Sequence, residues 1–469
     1  MTRHREQNLT NAKSHTTALK LRSLDARWLL SVVGVALVLA VPRPIKAVTE
    51  SCGGTERNCV TEWNKVAEET LTVFLPTPRP FQNEGLIYMA YVSAAVYNAA
   101  VAVEGSYRPY GVGITAPAGA SADAAVVEAA YRTLVEYFPN QTSRLTTLYE
   151  SSLAEISEGQ AKADGKAVGL AAANQIISSR MGDGRLTPIA TSSLFARKVP
   201  GPGVWRLTPP FAAAQTPWVG DVRPFVLERA DQFLPDAPPS LQSAEWAEAF
   251  TEVKQHGGLQ PRLRTPDEAA TALFWTANVI RQYNRALRDV VDTYGLSLVE
   301  SARLQAMVNI VGADAQIAVM NAKYHFLFWR PVTAIDRNSV TADTYGPVPG
   351  YIDDNHATEE EVGWRPFGGN TPNHPEYPAA HGSISSAMAE VFSSYLGTNR
   401  FNLVVRGFNP STGNMDAVRV YRTPADVRNE IVDARVWAGF HYRFSGVAGV
   451  VLGRKVAKYD LRLAFQPVE

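Results

Sequence analysis

HPEYPAAHGSISSAMAEVFSSYLG, running from His374 to Gly397, opens on a proline-rich turn and continues in helical period. Ile384, Met388, Val391 and Tyr395 recur at the three- and four-residue steps of one helix face, and Gly397 supplies a stop. Pro378 suits a first helical turn, where its missing N–H costs nothing. The amides near Ala380 and His381 then become helix-start donors without intrahelical acceptors, and the helix dipole reinforces them. Such a terminus favours an oxyanion. His381 stands where it would exchange a proton with that anion. His374, seven positions earlier, is either part of the same site or a loop histidine facing water.

The same helical grammar extends outward over most of the chain. EGLIYMAYVSAAVYNAAVAV (84–103) spaces large apolar residues for one buried face and fills the rest with alanine, which lets helices approach closely. SADAAVVEAAYRTLVEYF (121–138) starts on Ser121 as a cap, and GQAKADGKAVGLAAANQIISSRM (159–181) repeats the small-residue theme. Between Pro188 and Pro239 fall 10 of the 30 prolines, so no regular helix fits there. That stretch is also rich in Trp, Phe and Leu, which predicts an ordered strap rather than a linker. Helices resume at TPDE (265–268), a cap with proline at the first helical position and Glu268 closing a capping box; Ser297 and Glu300 repeat the pattern. No strand ladder is expected. The predicted fold is all-α, with an N-terminal bundle over 61–185, the strap over 186–264, and a C-terminal bundle over 265–469.

Composition narrows the function. The 469 residues carry 45 basic and 45 acidic side chains, so no whole-molecule field attracts a nucleic-acid backbone. Residues 1–47 read as a targeting segment: scattered basic residues precede WLLSVVGVALVLAV (28–41), which is short against the roughly 20 residues of a membrane-spanning helix. A secreted or periplasmic protein without stable membrane insertion is the expectation, with an uncleaved anchor as the alternative and no other segment apolar enough to cross. The two cysteines, Cys52 and Cys59 in CGGTERNC, suit a small disulfide loop in an oxidising compartment, and they lack the neighbouring ligands a metal site needs.

Two further motifs carry chemistry. In KYHFLFWRP (323–331), Lys323 and Arg330 lie about two helical turns apart and project from one helix face, among aromatic residues ill suited to water. In ARVWAGFHYRFSG (434–446), Arg435 and His441 are six apart with Gly439 between them, which on one helix places them to flank a ligand. The acidic run YIDDNHATEEE (351–361) is more readily a solvated loop than a cation site.

Lys, six residues, Arg-Pro; then Pro, two small residues, His; then Arg, five residues, His: in this order the three motifs resemble the signature shared by vanadium haloperoxidases and the phosphatidic acid phosphatase type of acid phosphatases. The strap followed by FWTANVIRQYN (274–284) resembles the haloperoxidase branch. The resemblance implies a vanadate cofactor whose oxygens are held by Lys323, Arg330, Arg435 and the Ala380 amide, whose metal is bound by His441, and whose acid/base is His381. It implies hydrogen peroxide and a halide as substrates, with a small organic acceptor downstream; the alternative it leaves is a phosphatase with a phosphohistidine intermediate. A histidine at position 374 resembles the bromide-oxidising members, so bromide or iodide is expected over chloride, with His374 tuning His381 or positioning substrate. The chain departs from the pattern at two places. Ala379 and Ala380 replace the usual Ser-Gly, and Ser445 replaces an aspartate that orients the ligand histidine, which predicts a less basic His441 and disfavours phosphohistidine chemistry.

Overall fold

The computed structural model describes residues 58–73, 82–208, 210–260, 262–336 and 353–468. The targeting segment and Cys52 lie outside them; Cys59 is buried at the start of the first helix.

Five helices build the N-terminal bundle: α1 (Cys59–Thr72), α2 (Gln82–Glu104), α3 (Ala122–Tyr137), α4 (Thr142–Ala154) and α5 (Gln160–Ser179). Ser121 caps α3 by accepting from the Ala124 amide, as its position predicts. α2 is long and apolar enough to cross a membrane by composition, contrary to the expectation that no such segment follows the N-terminus. It is instead the buried centre of this bundle, packed on α3 and α5.

After the short α6 (Thr191–Phe195) the strap runs as irregular chain, stitched down by hydrogen bonds. Asp314, fully buried, accepts from the Phe225, Val226 and Leu227 amides at 2.7, 2.7 and 3.0 Å. The Trp205 amide donates to the Leu327 carbonyl, and Asn373 Oδ1 accepts from the Thr208 amide at 2.9 Å. The strap therefore ties the helix that carries Asp314 to the loop that precedes His381. Its last third is regular after all, forming α7 (Ala244–His256).

The C-terminal helices are α8 (Pro266–Phe274), α9 (Val279–Tyr294), α10 (Leu298–Phe326), α11 (Pro331–Ile335), α12 (Ala380–Leu396), α13 (Pro424–Trp437) and α14 (Arg443–Leu463). Both capping boxes form, Thr265 with Glu268 and Ser297 with Glu300. α10 is the shared wall: it packs on α2 of the first bundle and on α12 and α14 of the second. A two-stranded antiparallel hairpin, β1 (Leu403–Asn409) and β2 (Asn414–Tyr421), interrupts the helices where no strand was expected. Its inner strand buries Leu403 and Val405 in alternation, while most of β2 is partly exposed, so each apolar run is too short to stand out beside the helical stripes. The fold remains all-α in class.

A candidate oxyanion site between the bundles

Two helix starts define the site. α12 begins at Ala380 with Ala379 in the cap position, and no side chain caps it. Pro378 sits just outside the helix, before the cap, rather than in the first turn. Side-chain volume is absent where α14 crosses this end: a Cβ on Gly449 would collide with the Ala379 carbonyl, and one on Gly453 with that of Ser383. That close crossing sets His441, two residues before α14, against the start of α12.

The two basic motifs reach the site by turning, not by continuing as helices. α10 stops at Phe326 with Leu327 left-handed, and Arg330 is the extended residue capping α11. Lys323 and Arg330 therefore converge across a turn between two helices, which corrects the shared-face geometry read from their spacing. Likewise α13 ends at Trp437, and Gly439 is left-handed and pressed against the Gly257 carbonyl. Arg435 and His441 thus sit on either side of a turn that only glycine permits.

All seven residues named from the sequence converge on one small region. His374, Ala380, His381, Arg435 and His441 line a cavity of about 70 Å³, room for a few water-sized groups. Lys323 and Arg330 lie behind it. Lys323 Nζ donates to the Pro375 and Glu376 carbonyls at 2.9 and 2.8 Å. Arg330 donates through Nε to the His374 carbonyl at 3.0 Å, through Nη2 to His374 Nδ1 at 3.0 Å, and through Nη1 to the Phe440 carbonyl at 2.9 Å and His441 Nε2 at 3.2 Å. His374 Nδ1 lies 3.0 Å from Arg330 Nη2, which only donates, and 3.1 Å from the Pro375 carbonyl, which only accepts, so either tautomer of the ring finds a partner there. His374 is 6% exposed, so it is not a loop histidine facing water.

Sequence reasoning missed Glu376. This fully buried carboxylate accepts from His441 Nδ1 at 2.8 Å and from the Tyr442 amide at 3.1 Å. The proton of His441 is therefore on Nδ1, and the Nε2 lone pair is left toward Arg330. The expectation that Ser445 leaves His441 with a neutral partner is overturned. Ser445 instead fastens the turn, its hydroxyl donating to the Glu376 carbonyl and its own carbonyl accepting from the Ala379 amide. A charged residue inside the apolar turn HPEYP was the available signal. With it goes the reasoning that disfavoured a phosphohistidine.

The charge balance is lopsided. Lys323, Arg330 and Arg435 are buried around one carboxylate, Glu376. Burial, then the neighbouring Arg330, pushes Lys323 well below the usual lysine range; burial brings Arg330 down to about 10 and Arg435 to about 9. His374, His381 and His441 are all driven well below the ordinary histidine value, first by burial and then by these cations, so the rings are neutral at pH 7. Burial pushes Glu376 up to about 7 against the pull of Lys323 and Arg330. Among the described residues no carboxylate lines the cavity, and two buried side-chain nitrogens of its lining residues, Arg435 Nε and His381 Nε2, have no protein partner. Such an arrangement is stabilised by an anion that accepts hydrogen bonds.

The family model described as the VCPO second helical-bundle domain matches residues 303–469, the span holding every one of these side chains. The match covers a little over the C-terminal third of the chain. Vanadium chloroperoxidase of Curvularia inaequalis is 26% identical over 40% of this chain, and the chain spans 33% of that relative's length. Among solved structures, a bacterial vanadium-dependent iodoperoxidase superposes with a TM-score of 0.67 at 20% identity, covering 87% of this chain and 98% of that one. A bacterial vanadium-dependent chloroperoxidase gives 0.63 at 15% identity, with 86% and 96% covered. Over nearly its whole length, then, the chain has the vanadium-haloperoxidase fold.

Proposed function

We propose that the protein is an exported vanadium-dependent haloperoxidase that uses hydrogen peroxide to oxidise a halide, bromide or iodide in preference to chloride, to hypohalous acid. The observation that carries this reading is the His441 imidazole, whose Nε2 lone pair is fixed toward a cation-rich cavity by the Glu376 carboxylate at Nδ1. The donor set fits vanadate: one neutral nitrogen ligand, buried cations, and an uncapped helix start. Bound vanadate would supply Lewis-acid activation of hydrogen peroxide without changing oxidation state.

The chain's own residues would act as follows. His441 Nε2 would bind the metal. Arg435, through its unpartnered Nε, and the first amides of α12 at Ala380 would hold the oxygens, and Arg330 and Lys323 would add positive potential from behind while fixing the 374–376 turn. His381, neutral and with Nε2 unpartnered, would take a proton from hydrogen peroxide and return it later. His374, anchored at Nδ1 by Arg330 and the Pro375 carbonyl, would present its Nε2 edge to substrate. The basic and apolar N-terminus supports export.

Glu376 also keeps the phosphatase reading chemically open, because a carboxylate-paired imidazole is a competent nucleophile. The deciding assay supplies vanadate, hydrogen peroxide and bromide and measures bromination of a phenol dye, then supplies p-nitrophenyl phosphate without vanadate. Bromination without phosphate release is expected; phosphate release without bromination refutes the haloperoxidase reading.

A further inference from the structure

The mouth of the oxyanion cavity has one wall that is not part of a helix or of the three motifs. Among the described residues that line the cavity, Gln82, Gln215, Pro372 and His381 are partly exposed and the rest are buried, so a ligand enters and leaves between these four. Gln82 and His381 sit in the first turns of α2 and α12, and Pro372 precedes His374 by two residues. Gln215 comes from the strap. Just beyond it, Pro217–Asp221 is a short 3₁₀ turn held fast on α10: Asn321 Nδ2 donates to the Gly220 carbonyl at 3.0 Å, and a Cβ on Gly220 would lie 2.7 Å from the Asn321 amide nitrogen. Between that foot and Gln215 stands Thr216, left-handed at φ +44°. A β-branched residue keeps that conformation when its surroundings impose it.

The restraints at this strained joint are specific. Asn83 Nδ2 donates to Thr216 Oγ1 at 2.9 Å. The Gln215 amide donates to the Asn373 carbonyl at 2.8 Å, and the Gln215 carbonyl accepts from Tyr324 Oη at 2.7 Å. Farther out, the Ala213 carbonyl accepts from Asn373 Nδ2, and the Ala214 amide donates to Thr191 Oγ1 at 3.1 Å. Asn83 lines the cavity and Asn373 adjoins His374, so a change at either disturbs the site directly. Tyr324 is different. It is buried, with its ring edge-on to Trp205, and it is not among the residues lining the cavity. Its hydroxyl meets the rim through the backbone of Gln215.

We propose that Tyr324 is a positioning residue that latches the strap at the mouth of the oxyanion site: through Gln215 it holds the Thr216 joint closed, and so sets how fast an oxyanion enters and leaves. The proposal rests on the oxyanion-site reading and is independent of which halide is oxidised. Entry and exit use the same local opening, so a weaker latch raises both rates and leaves their ratio alone.

The test is Tyr324→Phe, which removes the hydroxyl and keeps the ring, with thermal melting to establish folding. Loaded with orthovanadate, diluted and rapidly desalted, the variant should lose bound vanadium about 2- to 12-fold faster than the wild type, the equivalent of the about 0.5–1.5 kcal/mol of a neutral hydrogen bond. Association should quicken by the same factor, and the equilibrium Kd should stay within about twofold. Unchanged rates would overturn the latch. So would faster exit with unchanged entry and a Kd weakened to match, the pattern expected if Tyr324 merely props the helix that carries Lys323. Hydrogen exchange on the wild type gives a check that needs no variant: the Gln215 amide should exchange faster than the amides of α10 around Tyr324. Protection equal to that of α10 would show that the wall opens only with the whole fold, and would overturn the proposal. Wild-type protein that retains neither vanadate nor phosphate would refute the oxyanion site itself, and the latch with it.

Discussion

Glu376→Gln separates charge from geometry at the ligand histidine. Glu376 Oε1 accepts from both His441 Nδ1 and the Tyr442 amide, and a backbone amide cannot become an acceptor. Tyr442 therefore pins the new side chain with its oxygen toward His441, so the histidine tautomer survives and only the negative charge is lost. A hydrogen bond to a charged acceptor is worth about 1.5–3 kcal/mol and a neutral one about 0.5–1.5, so the bond from His441 to a metal should weaken by about 1–2 kcal/mol. Coulomb attraction works the other way. A unit charge removed roughly 7 Å from an anion, at an effective dielectric of about 20, strengthens binding by about 2 kcal/mol. The two contributions nearly cancel in the vanadate Kd, so that number alone decides nothing. Phosphate feels the Coulomb gain but makes no coordinate bond in its resting complex. Calorimetry of both anions at pH 8, above the value of about 7 to which burial pushes Glu376, should show the preference for vanadate over phosphate falling about 5- to 30-fold. Histidine nitrogen NMR should still place the proton on Nδ1. An unchanged preference with the tautomer retained would refute the role given to the carboxylate.

His381→Ala should weaken vanadate binding by less than about tenfold while bromide oxidation falls about 10²–10⁴-fold, because the anion hole survives and the proton acceptor does not. His441→Ala should abolish tight vanadate binding; equal losses of affinity in the two variants would contradict the division of labour between them. Asp314→Asn should destabilise the fold by about 3 kcal/mol, read from the urea midpoint, because one amide oxygen cannot serve the three strap amides that now share two carboxylate oxygens. Asp460, fully buried on α14 with both oxygens unpartnered, is raised well above the ordinary carboxylate value by burial and by Asp314. Its folded-state pKa exceeds the unfolded one, so its contribution is fully present at low pH and is lost as pH rises through the folded value. Asp460→Asn should accordingly narrow the stability gap between pH 6 and pH 9; a gap as wide as in the wild type would show that the group is ionised throughout.

The helical class was legible because its signals are local. Ser121, Thr265 with Glu268, and Ser297 with Glu300 cap the helices at the positions where their chemistry requires them. The hairpin over 403–421 was not, because half-exposed strands of seven and eight residues carry a weak alternation. Among site residues, Lys323, Arg330, His374, Ala380, His381, Arg435 and His441 were readable from motif order. Their approach was inferred through the wrong geometry, since Leu327 and Gly439 turn the chain where an unbroken helix was assumed.

The sequence by itself determined which chemical groups were available: cations, histidines and a helix start, spelled within three short segments. Tertiary structure alone decided how they are wired. Glu376 meets His441 across 65 residues, and Tyr324 meets Gln215 across 109. Neither pairing leaves a trace in local spacing, because a hydrogen bond depends on separation in space, and that is set by the glycine seam of α14 against α12 and by the strap fastened to Asp314.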